Sequence, residues 1–377
     1  MTKATRTLST LPDAKARSSK KARVGFKLLA LVLTLVSFVA MPVGQWVRAE
    51  PTCTFNVIAT INVDIQPFGV TTSPDGSTVW VANSGSVFAN SNKVTVINVN
   101  TLTEEPMKIT VGNFPEDIAF TDDGAQAYVT NSSDATVSVI NTATRSVSQT
   151  VSLAPVSITF PFGIIASKND KKVFVTSIGG SANSIAVLDN RNRSNVTVAG
   201  TIAASGFTDR PALRPIDNEL LVPRSGFETG PPELLVINPS SEHIMHDLAL
   251  QGNTTSFPND VAVTPDGKFA YVALLDFSGG PGGVWVIDLM HLTTVTVIST
   301  GDPHVHGVGI TPDGRFVFAT NFIQNTVAVI NTATNTVVAT VPVGHQPNEV
   351  AVTLDGTKAF VTNQNDTTVS VLCIPQP

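Results

Sequence analysis

The chain has 377 residues, of which 42% are hydrophobic and only 14% charged, with 26 Gly, 24 Pro and a formal net charge of −6. Few charges and many turn formers fit an all-β protein with buried sheets. The negative balance, with no stripe of Lys or Arg to release counterions from a phosphate backbone, excludes nucleic acid as a partner, and the two cysteines, at 53 and 373, form neither a CxxCH haem site nor a zinc pattern.

In chain order, residues 1–27 carry eight Lys or Arg against one acid, Asp13, and Leu28 to Val43 is an almost unbroken apolar run. Val47-Arg48-Ala49 then offers small residues at the two positions a signal peptidase reads. A run of sixteen residues falls short of the roughly 20 that span a bilayer. The spacing predicts an export signal over 1–49, cleaved after Ala49, with the folded domain over 50–377 and no membrane span in the exported protein. Because the leader holds nine of the 23 basic and one of the 29 acidic residues, the remainder carries 14 basic against 28 acidic, or −14.

The first segment of the folded domain, Val57 to Val70 (VIATINVDIQPFGV), superimposes on residues 337–350 (VVATVPVGHQPNEV). It is an outermost strand without a repeat of its own. After it, a large residue anchors the second strand of each unit: Trp80, Tyr128, Phe174, Leu221, Tyr271, Phe318 and Phe360, spaced 48, 46, 47, 50, 47 and 42 residues apart. Five anchors follow Asp-Gly at 75–76, 123–124, 266–267, 313–314 and 355–356, the pair favoured in two-residue hairpins. Asn169-Asp170 and Ile216-Asp217 are the degenerate versions. Seven repeats of four strands predict one seven-bladed β-propeller, with no helix beyond residue 50. The last repeat stops after three strands, so residues 57–63 complete it by pairing with 368–374 and close the ring. Six third strands end in Asn or Asp (Asn98, Asn141, Asp189, Asn238, Asp288, Asn331), and the seventh has Cys373 in that place, with Cys53 in the same turn. In an exported chain this pair reads as a disulfide clasp.

The segments Tyr128-Val129-Thr130-Asn131, Trp80-Val81-Ala82-Asn83, Phe318-Ala319-Thr320-Asn321 and Phe360-Val361-Thr362-Asn363 resemble the YVTN β-propeller repeat of bacterial and archaeal surface-layer and secreted proteins. Blades three to five depart from it, with Ser177, Arg224 and Leu274 in place of the Asn. The resemblance implies an exported, non-catalytic binding or scaffold propeller, periplasmic, secreted or at the cell surface, that recognises a protein, glycan or small molecule as a monomer. The alternative it implies is a lactonase-like hydrolase with a cation at the channel mouth.

Two features predict one working face. The second-to-third-strand loops are longer in blades one, three, four and five: 83–92, 178–183, 225–232 and 274–282. The entries to the inner strands lie on the same side and bring Glu116, Asp117, Asp209, Arg210, Asn259, Asp260, His306, Asn348 and Glu349 to the channel rim, as a ligand or partner face. Within it Glu116, Asp260, Asn348 and Glu349 are the oxygen ligands a calcium ion would take. His304, His306 and His345 share that side and are candidates for metal or base chemistry only if two converge. No GxSxG elbow, HExxH pair or phosphate loop is present, and the Gly-rich run 278–283 reads as a flexible connection.

Overall fold

The computed structural model describes residues 53–86, 89–179, 184–225, 231–250, 256–277 and 282–377. The leader, the Gly-rich run at 278–281 and parts of the long loops of blades one, three, four and five therefore lie outside the described residues. Seven antiparallel sheets form, one per repeat, each running from a channel strand to an outer strand. The first blade has its outer strand split into Thr103–Glu104 and Ile109–Thr110, and the channel strand of blade four is reduced to Ala212–Leu213. Among the described residues there is no α-helix, only two three-residue 3₁₀ turns at Ser132–Asp134 and Ala154–Val156. None is long and apolar enough to cross a membrane.

Strand position dictates composition. The second strand of blade two, Gln126–Asn131, is buried at every residue because a neighbouring blade covers each of its faces. The outer strand Ser146–Ser152 alternates exposed and covered residues, since one face meets solvent. The apolar core is accordingly divided into layers between blades. Tyr128 and Val139 of blade two pack on Val173 and Val175 of blade three, and Phe318 and Val329 of blade six pack on Val361 and Leu372 of blade seven.

The Asp-Gly turns are longer than the two-residue hairpins the sequence suggests. Ser73 and Thr78 close a turn whose four residues run from Pro74 to Ser77, with Gly76 donating to Ser73 O at 2.8 Å from φ +70°. The Ser or Thr two places before the Asp explains the preference. In blade two Thr121 Oγ1 donates to Asp123 Oδ1 at 2.8 Å, and the same oxygen of Asp123 accepts from Ala125 N–H at 3.0 Å. In blade four the left-handed residue is Asn218, one place later than the Ile216-Asp217 pair.

The last two residues of the anchor motif hold blades together. Thr130 Oγ1 donates across the interface to Phe162 O of blade three (2.7 Å) and accepts from Asp117 N–H of its own blade (3.1 Å). Thr362 does the same between blades seven and one, donating to Phe68 O and accepting from Glu349 N–H. Asn363, fully buried, donates to Thr368 Oγ1 and Ser370 Oγ and accepts from Gly344 N–H. That approach is close enough that a Cβ on Gly344 would stand 2.6 Å from the Asn363 side chain. Asn363→Ala is expected to destabilise the protein by about 1 to 3 kcal/mol, because the buried Ser370 hydroxyl and the half-buried Thr368 hydroxyl and Gly344 N–H lose their bonds at once. A shift of the urea midpoint at constant m-value is the measurement; an unchanged midpoint refutes that role.

The seam forms as the superposition predicts. Val57–Asn62 pairs antiparallel with Thr368–Cys373, from Asn62 opposite Thr368 to Val57 opposite Leu372. Cys53 and Cys373 are disulfide-bonded across it, with Cα atoms 5.7 Å apart.

Candidate functional site

Six of the seven inner strands carry a β-bulge at the entry, the two-residue strand of blade four being the exception. Pairing shifts register between Pro115 and Ile118 in blade two, Pro347 and Val350 in blade seven, and Val305 and Val308 in blade six. The unpaired positions are Glu116-Asp117, Asn348-Glu349 and His306-Gly307, so the rim pairs of the repeat are bulge residues. A bulge re-aims side chains out of the pleat. Here it turns them into the ring.

Six of the nine predicted face residues are consequently buried within the channel: Glu116, Asp117, Asp209, Arg210, Asp260 and Asn348. Asn259, His306 and Glu349 are half-buried. The mouth expected for this group is a closed diaphragm. Arg210, 2% exposed, reaches from blade four across to blade seven, where Nε lies 3.4 Å from Glu349 Oε2 and Nη2 donates to Asn348 Oδ1 at 3.2 Å. Its guanidinium sits 5.0 Å from the ring centres of both Phe68 and Phe162, and the planar, weakly hydrated cation suits that aromatic cage. Asp117, Asp209 and Asp260 surround it.

Three of these acids also tie blades together. Asp117 Oδ2 accepts from Ile164 N–H of blade three (2.9 Å), Asp260 Oδ2 from Val308 N–H of blade six (2.8 Å), and Glu349 Oε2 from Val70 N–H of blade one (2.9 Å). Their acidity is set mainly by burial. It pushes Glu116 up to about 7 and Asp260 up to about 6, against the opposing pull of Arg210. Asp117 is raised, and Asp209 and Glu349 are raised well above the usual carboxylate range, for the same reason. Burial works against the charge of Arg210, but Glu349, Asp117, Asp260 and Asp209 outweigh it and hold the guanidinium protonated.

These shifts give stability a signed pH dependence. A carboxyl whose folded pKa is raised binds more protons folded than unfolded, so its contribution is full below the unfolded value and is lost as pH rises through the folded one. Melting temperature is expected to fall between about pH 5 and pH 8 as the groups near 6 and 7 ionise. The opposite limb belongs to the turn carboxylates. Backbone and hydroxyl donors hold Asp123 down at about 2, so acid below about pH 4 removes stability again. Scanning calorimetry across pH 3–9 checks both limbs; a melting temperature that climbs from pH 5 to 8 contradicts the first.

The calcium quartet does not assemble. Among the described residues no group of three or more His, Cys, Asp or Glu is arranged to hold a metal ion, and the cation at the centre of the acids is Arg210. His345 stands apart from His304 and His306, and each of the three has its own neighbour. His304 meets Phe277, His306 stacks on Phe322 at 4.1 Å, and His345 Nδ1 lies 2.7 Å from Asp366. Burial, with Arg210 and His304 nearby, holds His306 down at about 3 and therefore neutral.

Phe68 and Phe162 belong to the rim by the same register as the acids, as Pro-Phe-Gly at 67–69 and 161–163, but their role as an aromatic cage for Arg210 is not legible in the sequence. Gly leaves room there for the next blade: a Cβ on Gly69 would stand 2.3 Å from Glu116 O. Two cavities bear on access. One of about 490 Å³ runs along the inner strands from Arg210, Asp117, Asp260 and Glu349 to Pro74, Asp122 and Leu354, which belong to the Asp-Gly turns. The buried charges are thus approached from the face opposite the long loops. A larger cleft of about 700 Å³ lies between blades three and four on that same turn side. Its Lys172 is paired with Glu242 at 2.7 Å, and its Arg191 with Asp189.

The family model for YNCE-like beta-propellers matches residues 66–376. Among solved structures, a chain of Kuenenia stuttgartiensis hydrazine synthase is similar at 21% identity with a TM-score of 0.72, over 88% of this chain and 99% of that one. Likeness at that identity is a likeness of fold. No curated protein matches the sequence.

Proposed function

The chain belongs to the YNCE-like beta-propeller family, and from that premise we propose that it is an exported, non-catalytic recognition propeller of the cell envelope or extracellular space. It takes a protein, glycan or small molecule through the loop face. The observation that carries this reading is the contrast between the polar and apolar groups on that side. The charged residues are engaged with Arg210 and with neighbouring backbone, whereas Phe160, Phe277 and Ile323 stand in loop-face connections at 51%, 58% and 53% exposure. Large exposed apolar side chains favour association where they gather on a surface, and Ile216, Met290 and Leu354 are as exposed on the turn side. Asn259 and His306 join the loop-face side chains as half-buried polar groups, while Glu116, Asp117, Asp209, Arg210, Asp260, Asn348 and Glu349 shape the floor beneath.

Export is supported by the disulfide, which persists in oxidising compartments. A lactonase-like hydrolase would need carboxylates free to hold a cation, whereas Asp117, Asp260 and Glu349 each accept a backbone N–H of a neighbouring blade and Glu349 is also paired with Arg210.

The test is an array of envelope glycans and peptides probed with the purified protein and with a Phe160→Ser, Phe277→Ser double variant. Retention by the wild type and a loss of at least about tenfold in the variant, at equal melting temperature, are expected. Equal retention of both proteins, or no retention of the wild type, overturns the reading of the face. Sequencing the protein recovered outside the cytoplasm should begin at Glu50; a cytoplasmic chain starting at Met1 overturns export.

A further inference from the structure

We propose that the loop face takes a neutral oligosaccharide, bound across an aromatic shelf on blades five and six. The inference rests on the loop face being the binding face and names the chemistry that it recognises.

Three observations converge. First, the two faces differ in charge. The turn side exposes Asp122, Asp123, Lys168, Lys171, Asp266 and Lys268 to solvent. In the described loop-side connections the only Lys or Arg is Arg210, which is buried, and the carboxylates are engaged. Asp64 pairs with Lys108 from the outer strand of blade one, and Asp134 accepts from the backbone and side-chain amides of Asn113. Asp302 accepts from His304 N–H and Gln324 N–H, and Asp366 from His345 N–H. Asp209 and Asp276 are buried. An ionised guest would lose hydration on this side without gaining a counter-charge.

Second, five rings gather there. Phe277 stands edge-on to Phe257 and His304, with ring centres 5.4 and 4.8 Å away, and His306 stacks on Phe322. Phe277 and Ile323 keep more than half of their surface in water. A pyranose presents a face of C–H groups, which packs on the electron-rich face of such a ring. Third, the polar groups of the shelf are neutral. Asn259 follows Phe257 by two residues, and Gln324 follows Phe322 by two. Their amides and the neutral imidazole of His306 each offer a donor and an acceptor, as a sugar hydroxyl does. Separate rings flanked by amides suit a chain of sugar units better than the broad apolar centre of a protein interface does.

The experiment is calorimetric titration of the purified protein with cello-, malto-, manno- and chitohexaose, with polygalacturonate as the anionic control. Saturable binding of at least one neutral hexasaccharide is expected, at least about tenfold tighter than polygalacturonate and changed by less than about twofold between about 0.05 and 0.5 M NaCl. Phe277→Ala should weaken it by about tenfold or more. Ile323→Asp, which places a charge on the shelf, should weaken it as well, and it decides the matter if Phe277→Ala melts below the wild type. The inference is overturned if no neutral hexasaccharide binds, if polygalacturonate binds as tightly, or if Phe277→Ala binds as the wild type does at an equal melting temperature. Retention of a peptide through Phe160 and Phe277, with every hexasaccharide failing, would remove the sugar and leave the loop face as the binding face.

Discussion

Replacing both cysteines by serine is expected to lower the free energy of unfolding by about 3 to 5 kcal/mol. The bond joins residues 320 apart in sequence, so breaking it releases an exceptionally long loop in the unfolded chain; the ideal entropy of closing such a loop is about 5 kcal/mol, and strain or residual unfolded structure lowers the realised figure. Apart from the bond, the strand it secures rests on its pairing with Thr368–Cys373 and on partly buried Val57 and Ala59. Of Val57–Asn62 only Ile61 is buried, and the rest alternates between exposed and half-buried. Guanidinium unfolding of the wild type, the double serine variant and the reduced wild type gives the comparison. Matching losses in the last two are expected, and a loss below about 1 kcal/mol would show that strand pairing alone holds the seam.

Arg210→Met is expected to cost about 3 to 5 kcal/mol at pH 7, the penalty of removing one partner from a buried ionic group. Methionine can occupy much of the space between Phe68 and Phe162, so lost packing is the smaller effect. What remains is Asp117, Asp209, Asp260 and Glu349 in a buried cluster without a counter-charge. The deficit should shrink towards pH 5. Without the guanidinium the folded-state carboxyl pKa values rise further, and protonated acids need no counterion, so stability returns as pH falls through those values. Melting temperatures of the two proteins at pH 5 and pH 8 make the comparison, and a difference that is constant with pH would assign the cost to packing.

Much of the fold is legible because each blade repeats local signals. Seven anchors, five Asp-Gly turns and a displaced first strand suffice to count blades and place the seam, and Cys373 betrays itself by occupying an Asn position. The site is legible only in part. Arg210 and the acids are identified by their register after the entry proline, but their direction depends on bulges, and nothing in a one-dimensional pattern distinguishes a bulged pair at a rim from one turned inward. Nor does register show that a side chain from blade four meets blade seven across the axis. The carboxylates consequently read as calcium ligands on an open mouth, whereas they surround a cation supplied by the chain. Asn348 has a similar history: it is fully buried, accepting from Arg210 and donating to Gln364.

The pairing of Val57–Asn62 with Thr368–Cys373 also has a temporal side. During synthesis the strand that emerges first from the ribosome waits for the one that emerges last. Each intermediate blade can assemble on its predecessor from contacts close in sequence, but the ring cannot shut until nearly the whole chain is available, and such distant pairing is slow to find. Until then blade seven presents an unpaired strand edge. On the export route proposed above, a chain held open in this way is suited to threading through a narrow translocation pore, and closure with oxidation of Cys53 and Cys373 follows on the far side.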